Sequence, residues 1–448
     1  MAADDVLNIF EQRPVWERLV MNAAMCYQLP EETDTRQMIE KLQDALDRLV
    51  DSFPWLAGTV ITEGRDLQKG NSGVVRIVHG REKPKITVKD YRQTPAVPDV
   101  QQLKESGYAC AMLDDSIFAP RPAFVLIPSK EKPVLLIQAS IISGGLVLVF
   151  SGCHATMDMP GQGQVMRWFS KACHNLPFTP AELEVGNMSR RNLIPLLDST
   201  YEPGEELALQ IPPTPTAGLL FPRVPSQWAT FKISRQAVDD IKAAATATRT
   251  SAFVSTDDSL SAFIWQSVAR VRTQRLSPDT ISKAVRTVDV RQALGIPRDY
   301  PGLVQNNLFH MCSLKELSEL PLGAVASKFR DALTRTSPSL TFYTRALATA
   351  LSRTSDKSSL RITSHLDLSS DLIITSSVSS GAYHLDFALG LGPPEAVRLT
   401  HQITFESMVY LLPPTPNGDI AIIVCLRNED IAALRADGSF NKYARYTG

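Results

Sequence analysis

Apolar residues recur at helical spacing early in the chain, where Met38, Leu42, Ala45, Leu46 and Leu49 lie three or four positions apart. Thr33, Asp34 and Thr35 precede them as cap candidates, so the pattern predicts an amphipathic helix that Phe53-Pro54 ends. Trp55 to Thr62 then reads as a turn running into a strand. Apolar runs bounded by polar or turn residues predict further strands at Val74–Val78, Phe124–Ile127, Val134–Ile141 and Leu146–Phe150. The region from Val134 to Phe150 is the most apolar of all, but Gln138, Ser140, Ser143 and the Gly144-Gly145 pair interrupt it. A membrane span needs about 18–20 unbroken apolar residues, so this region reads as two buried strands joined by a turn. A loop containing Gly and Pro follows, then a helix from about Gln162 to Cys173.

The alternation stops between Asn192 and Gln227, where Pro195, Pro203, Pro212, Pro213, Pro215, Pro222 and Pro225 crowd together. Few regular elements survive that density, so the stretch predicts a long crossover. Beyond it Trp228–Ile233 has strand character, and Ser234 caps a helix reaching to about Ala245. Ser255-Thr256-Asp257-Asp258 opens a second helix carrying Leu260, Phe263, Ile264, Val268 and Val271. Later strands are expected at Ala284–Val290, Leu372–Thr375, Met408–Leu412 and Ile420–Cys425. The predicted organisation is a mixed α/β domain over residues 1–191, a Pro-rich crossover over 192–227 and a second mixed α/β domain over 228–448. No short-period repeat is visible.

Composition agrees with two domains and removes other classes. The chain has 448 residues, past the ~250–300 at which a single core stops growing. With 44% hydrophobic and 21% charged residues it is neither disordered nor fibrous. Lys plus Arg (46) nearly balances Asp plus Glu (47), so no global basic field invites nucleic acid. The first residues, MAADDVLNIF, lack a basic segment followed by an apolar one, so no signal peptide is expected there. Cys26, Cys110, Cys153, Cys173, Cys312 and Cys425 form no C-x-x-C pair and sit mostly in apolar runs. Buried free thiols in a reducing cytoplasm are expected, and the sequon Asn187-Met188-Ser189 is expected to be silent.

The densest chemistry lies in Ser151-Gly152-Cys153-His154-Ala155-Thr156-Met157-Asp158-Met159-Pro160-Gly161-Gln162-Gly163-Gln164. A hydrophobic strand delivers a His to a small-residue loop, an Asp follows four positions on, and a helix then begins. Such loops aim a side chain from a rigid element while leaving it accessible. A neutral imidazole has an ordinary pKa of ~6.5 and accepts a proton near neutral pH. Two jobs stay open for Asp158: a hydrogen bond to His154, or a turn away from it to pair with a basic residue and shape the loop. Other site chemistries find less support. There is no Gly-x-Ser-x-Gly elbow, and Met166 breaks the glycine pattern begun by Gly161 and Gly163. The remaining histidines, His79, His174, His310, His365, His384 and His401, are scattered, so no metal site is expected. Cys153 adjoins His154, but neighbouring strand residues face opposite sides, which aims Cys153 at the core.

The His154-x-x-x-Asp158 loop resembles the catalytic motif of the plant and fungal BAHD-type acyltransferases, and its extension Met159 to Gln164 resembles the fungal trichothecene 3-O-acetyltransferase-like branch. Phe53-Pro54-Trp55-Leu56-Ala57-Gly58, Ser255 to Trp265, Asp289-Val290-Arg291 with Asn306-Asn307, and Asp386-Phe387-Ala388-Leu389-Gly390 resemble further family landmarks in the same order. The resemblance implies two similar chloramphenicol-acetyltransferase-like α/β domains with a channel at their interface and His154 midway along it. It implies an acyl-CoA co-substrate, acetyl-CoA favoured, without metal, and a small secondary-metabolite alcohol or amine as acceptor. His154 would be the general base and Asp158 its motif partner. Asp386, Phe387, Gly390 and Arg291 would be structural, with Asp386 the expected partner of Arg291. Thr375 and Ser376 fall where the family lines the pocket near the reacting carbonyl. Ser255, Thr256, Lys283 and Arg286 are candidates for the CoA phosphates. A cytoplasmic monomer is expected. Two alternatives remain: a carrier-protein-dependent condensation enzyme, whose extra His before the motif His is Cys153 here, and a non-catalytic ligand-binding relative.

Overall fold

The computed structural model describes residues 5–448 except 81, 126, 128, 212–223, 335–338, 362–365 and 402. A five-stranded sheet organises the first half. Its strands lie in the order Ala396–Leu399, Val20–Gln28, Gly145–Cys153, Leu135–Ile142 and Thr87–Asp90. All neighbours are antiparallel except the last pair. The apolar run around Gly144-Gly145 is the expected pair of strands, with Gly144 at φ 69° in the turn between them. Leu146, Leu148 and Phe150 point into one core and Val147 and Val149 into another, so the central strand is covered on both faces. That double burial explains why its sequence is continuously apolar rather than alternating.

Helices Thr35–Ser52 and Met159–Cys173 pack side by side over the first of these cores. Asp34 caps the former by accepting from the amides of Arg36 and Gln37. A smaller four-stranded sheet contains Asp5–Val6, Val74–Val78, Thr59–Glu63 and Lys132–Pro133. The expected strand Phe124–Ile127, of which residue 126 lies outside the described residues, reduces to a single bridge between Leu19 and Phe124. Pro120 and Pro122 just upstream cannot donate to a ladder.

The second half is built on a seven-stranded mixed sheet. Its order is Gln305–Ser313, Ile281–Asp289, Leu372–Ser376, Met408–Leu411, Ile420–Arg427, Ser226–Ile233 and Ala444–Tyr446. Helices Arg235–Ala247, Thr256–Arg272 and Leu322–Thr334 share its core. The described part of the crossover holds one short 3-10 turn, Glu205–Leu207, and the first two residues of strand Ser226–Ile233, while Pro212, Pro213, Pro215 and Pro222 lie outside the described residues.

The halves are not cut cleanly at residue 228. Strand Ala396–Leu399 leaves the second half and pairs with Val20–Gln28 in the first sheet, from Ala396 opposite Cys26 to Leu399 opposite Ala23. Helix Leu340–Arg353 sends Ala346, Leu347, Ala350 and Leu351 into the core that holds Leu42 and Phe150. Among the described residues no helix is long and apolar enough to cross a membrane.

Candidate active site

His154 follows directly on strand Gly145–Cys153 and opens the loop that Asp158 ties to the second half through Arg291. Its backbone amide donates to the Leu19 carbonyl at 3.1 Å, which ties the loop to the neighbouring chain. Its Nδ1 lies 3.0 Å from the Met157 carbonyl. A carbonyl only accepts, so Nδ1 carries the hydrogen and Nε2 keeps its lone pair. The ring of Trp16 packs against the imidazole at 4.9 Å between centroids. Burial lowers the His154 pKa from its ordinary 6.5, while the Met157 bond and the Asp158 charge work the other way. The result is a neutral imidazole at neutral pH, partly exposed, with a basic nitrogen that no side chain among the described residues consumes.

Asp158 takes the second of its two possible jobs. It caps helix Met159–Cys173, with Oδ1 accepting from the Gly161 amide at 2.9 Å. The carboxylate then faces the second half. Oδ1 accepts from Arg291 Nη2 at 2.7 Å, and Oδ2 accepts from Arg291 Nη1 at 3.0 Å and from the Val304 amide at 2.9 Å. No hydrogen bond joins it to His154. Two parallel bonds between a guanidinium and a carboxylate fix orientation as well as distance. Arg291 also donates to the carbonyls of Tyr300 and Gly302 and to Asp289. Burial disfavours the Arg291 cation, yet the Asp158 and Asp289 charges hold its pKa above the ordinary value. Gly161 belongs to the same seam: a Cβ there would lie 2.0 Å from the Pro301 carbonyl oxygen.

Arg291 therefore does not pair with Asp386. The Asp386 carboxylate stands at the surface, 3.7 Å from His174, with Oδ1 accepting from the Ala388 amide at 2.9 Å. Its backbone carbonyl accepts from Ser170, and the Ala388 carbonyl accepts from Lys41. Phe387 is buried between Phe150 and Phe169, with centroids 5.5 and 5.4 Å away. Gly390 adopts φ 76°, which a side chain rarely tolerates. The Asp386–Gly390 turn is thus a plug over the first core.

The cations expected at CoA phosphates face inward. Arg286 is buried and donates to both Asp257 and Asp258. Lys283 is buried beside Asp371, its Nζ 3.6 Å from Oδ2. Both charges are already paired with carboxylates inside the protein. Ser255 caps helix Thr256–Arg272 in a reciprocal arrangement with Asp258, and Thr256 is that helix's first residue. Thr375 and Ser376 end strand Leu372–Ser376, and Ser376 accepts from the Val378 amide at 3.3 Å. The adjacent Ser377, with Met159, Gln162, Ser380, Arg398 and Leu412, lines a cavity of about 20 Å³ where the helix after Asp158 meets the second half.

Cys153 is buried, and burial pushes its thiol pKa up, which suits packing rather than nucleophilic attack. His365 lies outside the described residues. Among the described residues, no group of three or more His, Cys, Asp or Glu is arranged to hold a metal ion. The sequence reading missed Trp16, Leu19 and Val304, two of which act through backbone atoms and carry no side-chain signature.

Architecture and seam together are those of a two-domain acyltransferase. The chain belongs to the trichothecene 3-O-acetyltransferase-like family: residues 19–173 match the family's N-terminal domain, "Trichothecene 3-O-acetyltransferase-like N-terminal domain". An O-acetyltransferase of Cryptosporiopsis sp. is 42% identical over 456 residues, covering 99% of this chain and 98% of the relative. Trichothecene 3-O-acetyltransferase of Fusarium sporotrichioides is 39% identical over 453 residues, covering 99% and 97%. The crystal structure of F. graminearum TRI101 complexed with coenzyme A and deoxynivalenol superposes with a TM-score of 0.95 at 37% identity, covering 100% of both chains.

Proposed function

We propose that the protein transfers an acetyl group from acetyl-CoA to a hydroxyl of a small secondary-metabolite alcohol, with His154 as general base. The observation that carries this reading is the His154 ring, pinned through Nδ1 by the Met157 carbonyl with Nε2 left basic. Nε2 takes the acceptor hydroxyl proton as the oxygen attacks the thioester carbonyl. The tetrahedral oxyanion collapses, the C–S bond breaks, and the imidazolium returns its proton to the CoA thiolate. No acyl-enzyme forms, so holding both substrates in one channel supplies much of the rate. Donors near the Thr375–Ser376 strand end would steady the oxyanion. Asp158 acts through the loop, keeping His154 aimed by way of Arg291 rather than touching it.

Residues 1–191 and 228–448 form the two walls of the channel in this reading, and the working unit is a cytoplasmic monomer. The relatives' names support acetyl transfer, and the coenzyme A and deoxynivalenol complexed with the Fusarium enzyme support the substrate classes. The test mixes purified protein with acetyl-CoA and deoxynivalenol, alongside a panel of other alcohols and amines, and follows free thiol and acetylated product by mass spectrometry. His154→Ala should keep its melting temperature and lose about 10²–10⁴ of the rate. Undiminished transfer by that variant would overturn the mechanism.

A further inference from the structure

Asp158 is not the only carboxylate that reaches across the seam. Glu11, fully buried in the first half, accepts from the Leu303 amide at 3.0 Å. Leu303 precedes Val304, whose amide binds Asp158. Two adjacent amides of one second-half segment are therefore held by two different first-half carboxylates. Each carboxylate has its own arginine. Arg190 Nη1 donates to Glu11 Oε1 at 2.5 Å and to the Thr156 carbonyl at 2.8 Å. Thr156 is the middle of the His154–Asp158 loop and fully buried. The Arg190 guanidinium also lies over the Trp55 ring at 4.5 Å. Asn8 completes the network: its amide donates to Glu11 Oε2 at 2.7 Å, and its side chain donates to the Leu303 carbonyl at 3.1 Å. The same N-terminal segment carries Trp16, whose Nε1 donates to the Phe10 carbonyl at 2.9 Å and whose ring lies on His154.

We infer that Glu11 and Arg190 are positioning residues for the acyl transfer, a second clamp that fixes the His154 loop at Thr156 while tying it to the Leu303–Val304 segment of the other half. The Asp158–Arg291 pair holds one end of the loop, and the Glu11–Arg190 pair holds its middle. A buried ion pair adds little to stability because desolvation offsets attraction, but it fixes geometry. A displacement of about 1 Å at a reacting group costs roughly 100-fold in rate, so small slack at Thr156 reaches the chemistry through the Nδ1–Met157 bond one residue on. Burial pushes the Glu11 carboxyl up to about 7 against the opposing pull of Arg190 and the two amides. The comparison is therefore made on the alkaline side of that value.

The role in turnover rests on the acetyl-transfer reading, so the test has two independent readouts. Glu11→Gln and Arg190→Lys are measured beside the neutral double variant Glu11→Gln/Arg190→Gln, which strands no buried charge and is the arm expected to fold in every case. In folded variants, kcat for acetylation of deoxynivalenol should fall about 10-fold or more, with KM for acetyl-CoA nearly unchanged. By NMR, with His154→Ala for assignment, the His154 titration should move up toward the ordinary imidazole value as the loop loosens and admits water. A folded double variant with wild-type kcat and an unmoved His154 titration would overturn the clamp. A moved titration in a protein that acetylates none of the tested acceptors would uphold the clamp and count against the acetyl-transfer reading instead.

Discussion

Two aspartate-bearing turns, Asp158–Gly161 and Asp386–Gly390, look equivalent as motifs and behave oppositely in the structure. The first buries its carboxylate completely and spends both oxygens on Arg291 and two backbone amides. The second leaves its carboxylate at the surface near His174 and buries the neighbouring ring instead. One turn joins the two halves through charge. The other seals one core through apolar contact. A motif aspartate is thus no guide to where the energy lies; the number of hydrogen bonds it makes out of water is.

Substitutions sharpen the contrast. Asp158→Asn leaves the buried Arg291 cation with only the partly exposed Asp289 as counter-charge, and breaking a buried pair costs about 3–5 kcal/mol. Calorimetric melting should therefore show a large fall, and kcat should fall with it. Phe387→Ala should cost a comparable 3–5 kcal/mol by leaving a void between Phe150 and Phe169, with its effect on kcat per folded molecule small. Asp386→Asn should change stability by no more than about 1 kcal/mol, since both it and its neighbour His174 are solvated. A loss as large as that of Asp158→Asn would erase the distinction between the turns. The finest test is pH. His154 must be neutral to act and its pKa is lowered, so the acid limb of kcat/KM should have its midpoint below 6.5. The Asp158 charge favours the imidazolium, so in Asp158→Asn that limb should move further down, while in Asp386→Asn it should stay put.

Much of this was legible in the residues. Helix Thr35–Ser52 follows from its 3.6-residue period and its Asp34 cap. The body of helix Met159–Cys173 is expected from about Gln162, but its first turn, with the Asp158 cap and Pro160, reads as loop. The paired strands on either side of Gly144-Gly145 follow from their apolar run. Strand Val20–Gln28 was not legible, because Asn22-Ala23-Ala24 has little intrinsic strand preference and is held extended by neighbours on both sides. Charge pairing was legible least. Arg291 had two motif aspartates to choose from, and packing alone decides that Asp158 is the one in reach. The same holds for Arg286 and Lys283, whose carboxylates lie 28 or 29 and 88 positions away in the chain. Glu11 and Arg190 belong to no motif at all, and they meet across 179 positions.

Strand Ala396–Leu399 has a consequence for the order in which the molecule can be made. Synthesis delivers Val20–Gln28 and Gly145–Cys153 early, and these pair as soon as both have left the ribosome. The outer edge of Val20–Gln28 must then wait for residues some 370 positions later before its hydrogen-bonding groups are covered. Until then the growing chain carries an open, largely apolar strand edge, the kind of template on which other chains assemble. A fragment that ends before residue 396 is left in that condition permanently. Splitting the protein at the crossover would therefore yield a first half that is sticky rather than independent, and co-expression of the two pieces would be needed to close the sheet.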